Sequence, residues 1–305
     1  MSASPSEAVA QMAGMGETRP SMFGDLFILT KARLSLMVVF TTAVGFCVGS
    51  TGPWLTMSLL YAVLGTSLAA ASAAALNQWI EADVDRLMER TRERPLPAGR
   101  MKKGSALWLG LILGVLGVGL LWLKSTQLAA AFAFLTIVVY LAAYTPLKRR
   151  SAWCTLLGAV SGALPPVIGW AAAESPDRSM AYVLFGILFC WQLPHFLAIA
   201  WMYKHEYEEA GFVMLKRGDE SGLFTAYQAL GFSILLTLVA FVPTWLAKVS
   251  PFYNVGAGLA NAMLVGSCVV FLLERSRGAA RRLFFASILY LPVMLLFLVF
   301  TRKAL

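Results

Sequence analysis

The sequence predicts an all-α integral membrane protein with nine transmembrane helices. Three observations predict it. Of the 305 residues, 59% are hydrophobic and 13% charged, with a mean hydropathy of +0.71, well above an ordinary water-soluble domain. Nine apolar runs approach or exceed the roughly 20 residues that a helix needs to cross a hydrocarbon core, and none contains Asp, Glu, Lys or Arg. Finally, the basic residues are concentrated in alternate loops, as the positive-inside rule requires of a multi-span chain.

Taken in order, residues 1–22 are small, polar and unpatterned, and are expected to form a disordered tail. A mitochondrial transit peptide is Arg-rich and poor in acids, whereas this segment has Glu7 and Glu17 against Arg19; a signal peptide needs an apolar core. A single membrane domain then runs from 23 to 305. Its crossings are predicted over 34–50, 54–80, 106–123, 126–146, 153–173, 180–203, 224–247, 255–273 and 283–301. Gly110 with Gly114, and Gly158 with Gly162, form GxxxG pairs that let helices approach closely, here for packing inside the bundle. The N-terminal segment and the loops after crossings two, four, six and eight hold 20 Lys and Arg; the opposite loops and the C-terminal tail hold five. This places the N-terminus in the cytoplasm and the C-terminus outside, with a bacterial inner membrane as the simplest address.

Several function classes are excluded. The net charge of +9 is accounted for by loop topology, and no nucleic-acid motif is visible. Cys47, Cys154, Cys190 and Cys268 lie in or beside apolar runs without a CxxC, so neither a zinc finger nor a disulfide scaffold is expected. Gly99–Ser105 lacks the lysine of a P-loop and follows no strand pattern.

The polar residues are concentrated at the end of the second crossing and in the loop behind it. Asn77, Glu81 and Asp85 are spaced i, i+4, i+8, so a continuing helix lines them up on one face over about 12 Å. Two carboxylates and an amide on one stripe suit Mg2+, which takes one or two carboxylates while substrate phosphates fill other positions. Arg86, Arg90, Arg92 and Arg94 follow closely enough to meet phosphate oxygens. From spacing alone, half of a magnesium-diphosphate site and a solvated helix end both remain open. A second cluster, Tyr203 to Gly211, contains Glu206, Tyr207, Glu208 and Glu209 on the same side of the membrane. Two acidic loops on one face suit a shared polyanion held through metal ions, although Glu208 and Glu209 read equally as solvated surface. The third loop on that side adds Lys148, Arg149 and Arg150, which the topology signal also explains. His195, just after Pro194, is the one ionisable residue at predicted membrane depth. It is a functional candidate as an iron ligand or proton carrier, against a histidine bonded to a neighbouring helix.

At these positions the sequence resembles the UbiA superfamily of intramembrane prenyltransferases, and within it the protoheme IX farnesyltransferase (haem O synthase) family. Asn77, Glu81 and Asp85 match the superfamily's Asn-x-x-x-Asp-x-x-x-Asp motif, with Glu in place of the first Asp. The haem branch is marked by NQWIEADVDRLMERTRERPLPAG at 77–99, YTPLKRRS at 144–151, GAVSGALPPVIGW at 158–170, WQLPHFLAIAW at 191–201 and EYEEAGFVML at 206–215. With Leu29-Thr30-Lys31, these marks run across most of the chain beyond the tail.

The resemblance implies a UbiA-like bundle with a central cavity, using Mg2+ and farnesyl diphosphate to alkylate a vinyl group of haem b, giving haem O. It implies that Asn77, Glu81 and Asp85 hold magnesium-diphosphate. Lys31, Arg33, Arg86, Arg90, Arg94, Lys148 and Arg149 then bind substrate anions, with His195, Glu206 and Tyr207 as further substrate contacts. A haem A synthase or terminal oxidase assembly is the implied partner for the product, and the lipid bilayer the surroundings. The chain departs from the family pattern at Lys31-Ala32-Arg33, where Lys-Pro-Arg is usual, at Val213, where Pro is usual, and in lacking a clean second Asp-x-x-x-Asp motif. Two rivals stand beside this reading: prenylation of another aromatic acceptor by the same fold, and a haem carrier or transporter that binds without reacting.

Overall fold

The computed structural model describes residues 21–303, apart from the side chains of Arg33 and Leu34. Of the tail predicted over 1–22, residues 1–20 lie outside the described residues, while Ser21 and Met22 form the cap and first residue of a helix.

Ser21 caps α1 (Met22–Leu29), its hydroxyl accepting from Gly24 N at 3.1 Å. This short helix exposes Met22, Phe23, Phe27 and Ile28, and Asp25 ties it to Arg100 Nε at 3.0 Å. The remaining helices are α2 (Ala32–Gly49), α3 (Met57–Asp85), α4 (Lys103–Lys124), α5 (Gln127–Leu147), α6 (Cys154–Ala172), α7 (Arg178–Met202), the short α8 (Lys204–Glu209), α9 (Leu223–Trp245), α10 (Phe252–Glu274) and α11 (Arg277–Thr301). Among the described residues, eight of these are long and apolar enough to cross a membrane. The first predicted crossing, over 34–50, falls on α2, whose described apolar part, Ser35–Gly49, is shorter than a hydrocarbon core. Among the described residues, length and composition therefore confirm eight crossings and leave the expected ninth unconfirmed.

Close approach comes from small residues. Gly114 faces Ser72 and Gly110 faces Leu76, so α4 lies against α3, and Ser72 Oγ donates to Gly110 O at 2.7 Å. A side chain at Gly45 would meet the backbone of Pro166, and one at Gly169 the backbone of Thr42 and Phe46, which locks α2 to α6. The second GxxxG pair serves the same end, Gly158 making room for Tyr144 and Gly162 for Gln192. Polar groups inside α9–α11 satisfy one another: Tyr253 OH donates to Ala240 O at 2.7 Å, and Tyr290 OH and Thr237 Oγ1 both donate to Asn261 Oδ1 at 3.1 Å.

Two features position the site. The second crossing runs five residues beyond its predicted end, through Asp85, so Asn77, Glu81 and Asp85 all sit on continuous α3. In α5, Pro146 has no N–H for the carbonyl of Ala142, and its ring would clash there. The chain widens into a π-turn over Val139–Tyr144, closed by Thr145 N donating to Tyr140 O.

Candidate functional site

The last two turns of α3 carry three buried polar side chains toward one cavity of about 310 Å³. Asn77, Glu81 and Asp85 are 1%, 6% and 2% exposed, too buried for a solvated helix end. Each has a partner from another segment. Asn77 Nδ2 donates to Thr145 Oγ1 at 3.1 Å, and its Oδ1 accepts from Lys31 Nζ at 3.3 Å. Glu81 is paired with Lys148 Nζ at 3.0 and 3.1 Å, and Asp85 with Arg94 at 2.7 Å. Thr91 Oγ1 donates to Asp85 O at 2.8 Å, folding the basic loop back over the helix end.

The π-turn in α5 directs its residues to the same place. Tyr140 and Tyr144 lie against each other with ring centroids 5.1 Å apart and line the cavity wall. Tyr140 OH accepts from Lys31 Nζ at 3.4 Å, and Lys148 Nζ sits 4.6 Å from the Tyr144 ring centroid. Burial opposes the charge on Lys148, but Tyr144, Glu81 and Tyr140 outweigh it and hold the ammonium's pKa above the ordinary lysine value. Lys31 reaches the site from a left-handed backbone position, φ 48°, fixed by Gln78 Nε2 donating to Ile28 O at 3.0 Å and Leu29 O at 2.8 Å. From the short α8, Tyr207 OH accepts from Arg90 Nη2 at 2.9 Å, and the Arg90 guanidinium lies over both Tyr203 and Tyr207.

Lys31, Tyr140, Tyr144 and Phe196 also line a second, mainly apolar cavity of about 370 Å³. It extends between α2, α3, α5, α6 and α7, and His195 stands in its wall. A polar, cation-rich chamber thus adjoins a greasy one.

The structure brings together Lys31, Asn77, Glu81, Asp85, Arg90, Arg94, Lys148 and Tyr207 on one wall, and His195 on the adjoining one. It does not bring the others there. Arg86 is exposed and holds the loop by donating to Pro97 O at 3.2 Å. Arg149 lines a neighbouring surface cavity with Lys204, Lys216 and Arg217, which meets the polar chamber only at Tyr207, Phe212 and Met214. Glu206 is absent from the lining of both chambers, with Oε2 buried and unbonded among the described residues. The Arg33 side chain lies outside the described residues. Sequence reasoning assigned no role to Tyr140, Tyr144, Thr145 or Gln78; the signal available was Pro146, which marks the widened turn.

Among the described residues no three His, Cys, Asp or Glu side chains gather as a metal site. Asn77, Glu81 and Asp85 offer one amide and two carboxylates, few enough donors that a divalent ion held there would need water and substrate phosphate oxygens to complete its shell, a mode open to Mg2+.

The chain is similar to known proteins in both sequence and fold. A sequence model described as the UbiA prenyltransferase family matches residues 38–289. The chain is 44% identical over 281 residues to a protoheme IX farnesyltransferase of Opitutus terrae, covering 92% of this chain and 95% of that protein. It is 42% identical to one of Solibacter usitatus, covering 88% and 96%. Among solved structures, it is similar to a digeranylgeranylglyceryl phosphate synthase, with TM-score 0.77 and 14% identity over 92% of this chain and 98% of that one. It is also similar to a UbiA homolog from Archaeoglobus fulgidus bound to DMAPP and Mg2+, with TM-score 0.63 and 13% identity over 90% and 99%.

Proposed function

The chain belongs to the UbiA prenyltransferase family, and from that premise we propose that it transfers the farnesyl group of farnesyl diphosphate to a vinyl group of haem b, making haem O and releasing diphosphate. The observation that carries the reading is the joining of the two chambers. One holds carboxylates and cations suited to a diphosphate; the other is an apolar space for the prenyl chain and a flat acceptor.

Asn77, Glu81 and Asp85 are the residues that hold Mg2+, which when bound neutralises charge on the departing diphosphate. Lys31, Arg90, Arg94 and Lys148 stand in the same chamber and meet its oxygens. The C1–O bond of the substrate breaks, its electron pair leaves with the diphosphate, and an allylic cation remains. Tyr140, Tyr144 and Phe196 flank the junction of the chambers, where their rings stabilise positive charge and exclude water. The terminal vinyl carbon of the porphyrin then bonds to C1. The cation left beside the ring takes up water, which loses a proton to give the hydroxyl group.

The 20-to-5 distribution of basic residues supports a bacterial inner membrane with the polar chamber on the cytoplasmic side. The product, an amphipathic haem, is handed on to a haem A synthase or to terminal oxidase assembly.

The test is mass spectrometry of haem extracted after incubating the purified protein with haem b, farnesyl diphosphate and Mg2+. A farnesylated, hydroxylated haem that requires the metal and vanishes in a Glu81→Gln, Asp85→Asn variant is the expected result. Haem binding without product would replace transfer with carriage. Product from a different aromatic acceptor alone would change the substrate.

A further inference from the structure

His195 is held between two aromatic plates. Its ring lies 5.1 Å from that of Trp191 and 5.0 Å from that of Phe284, nearly parallel to each, at 21° and 26°. Phe196 packs on it at a tilt, with ring centroids 5.7 Å apart, and Nδ1 is 2.8 Å from Ser287 Oγ on α11. Ser287 is itself fixed: its hydroxyl lies 2.6 Å from Phe284 O, and its own carbonyl accepts from Trp191 Nε1 at 2.7 Å.

A serine hydroxyl has a single proton. If Ser287 donates it to Phe284 O, Nδ1 must carry hydrogen and donate to Oγ, and both bonds form. If Ser287 donates to Nδ1 instead, the Phe284 bond is lost. The remaining imidazole hydrogen then falls on Nε2, which has no acceptor among the described residues. That arrangement makes one hydrogen bond fewer. The first arrangement wins, and Nε2, the nitrogen not bonded to Ser287, is left as a bare lone pair on a ring that lines a mainly apolar cavity.

We propose that Ser287 is a positioning residue that fixes His195 in its Nδ1–H form, so that Nε2 binds the iron of the haem substrate. This rests on the transfer reading above. An imidazole with one nitrogen hydrogen-bonded to a neighbour is oriented and made more basic at the other, which is how metal-binding histidines are commonly held. The bond grips the porphyrin at its centre and leaves its rim, where the vinyl groups are, free to meet the adjoining chamber.

The experiment is titration of the full-length protein in lipid nanodiscs with ferric haem b, followed by electron paramagnetic resonance and magnetic circular dichroism. Wild type is expected to show a nitrogen-ligated iron. His195→Gly loses that signature, and added imidazole restores it. Ser287→Ala weakens haem binding by about tenfold, the usual scale for losing such a supporting partner, whereas Ser287→Thr, which keeps the hydroxyl, retains it. A wild-type ligand field in His195→Gly would overturn the proposal, as would wild-type affinity in Ser287→Ala. Farnesyl transfer by wild type is measured in parallel. Transfer without histidine-dependent ligation overturns the iron bond and leaves the reaction standing; ligation without transfer overturns the reaction alone.

Discussion

Lys148 meets Glu81 where neither side chain is more than 13% exposed. Both charges are largely out of water, so each depends on the other. Removing one partner strands the other, whereas removing both leaves a neutral contact. Lys148→Met is therefore expected to destabilise the fold by about 3 kcal/mol, and the double variant Lys148→Met, Glu81→Gln to recover most of it. Thermal unfolding in detergent compares the two, and equal losses would show that the pair is not coupled. Both variants are expected to lose transfer, because in the proposed reaction the lysine and the carboxylate also serve the diphosphate. Stability and activity thus separate at this pair, the sign of a site whose charges are balanced internally until substrate arrives.

At the scale of the element, helix ends and helix contacts carry the stability. Asp219, 8% exposed, accepts from Phe224 N at 3.1 Å and Thr225 N at 2.8 Å, satisfying donors in the first turn of α9. Burial works against the charge, but the Thr225 hydroxyl, the two backbone N–H groups and Lys204 together hold the carboxyl below its ordinary value. A lowered folded pKa means that its stabilisation is complete at neutral pH and is lost as the pH falls through the folded value. Asp219→Ala should cost about 1 kcal/mol at pH 7, and the gap from wild type should close under strongly acidic conditions. Where helices touch, Gly169→Val places methyl groups against the backbone of α2, for about 3 kcal/mol, measurable as a fall in Tm. The long helices were legible in the sequence because each contains a long uncharged run, and α3 carries Asn77, Glu81 and Asp85 at a spacing that any helix reads as one face. Their partners were not legible. Nothing in the periodicity of α5 says that Pro146 opens a π-turn facing Tyr140 and Tyr144 toward α3. Likewise, a one-dimensional charge count cannot separate Lys148, which turns inward, from Arg149, which lines another cavity.

At the scale of the whole molecule, chemistry sits at one end of the bundle and closure at the other. The ends of α3, α5 and α7 supply the polar chamber. At the far end, Arg302, after α11, donates to Val48 O at 2.8 Å and Ser50 O at 2.7 Å, joining the last helix to the end of α2. Site and C-terminus therefore lie at opposite ends of the rods. Counted along the sequence, the basic residues divide in the same sense, 20 in the N-terminal segment and the loops joined to the site end and five in the opposite loops and tail. Positive charge is retained on the cytoplasmic side during insertion, so the site should open to the cytoplasm, where a water-soluble diphosphate is released, and the C-terminus should face the periplasm. Alkaline phosphatase fused after Leu305 is expected to be active in whole bacterial cells, while the same reporter inserted after Gly99, in the loop beyond α3, stays inactive. The reverse pattern would place the diphosphate site outside and make the charge distribution a feature of substrate binding alone.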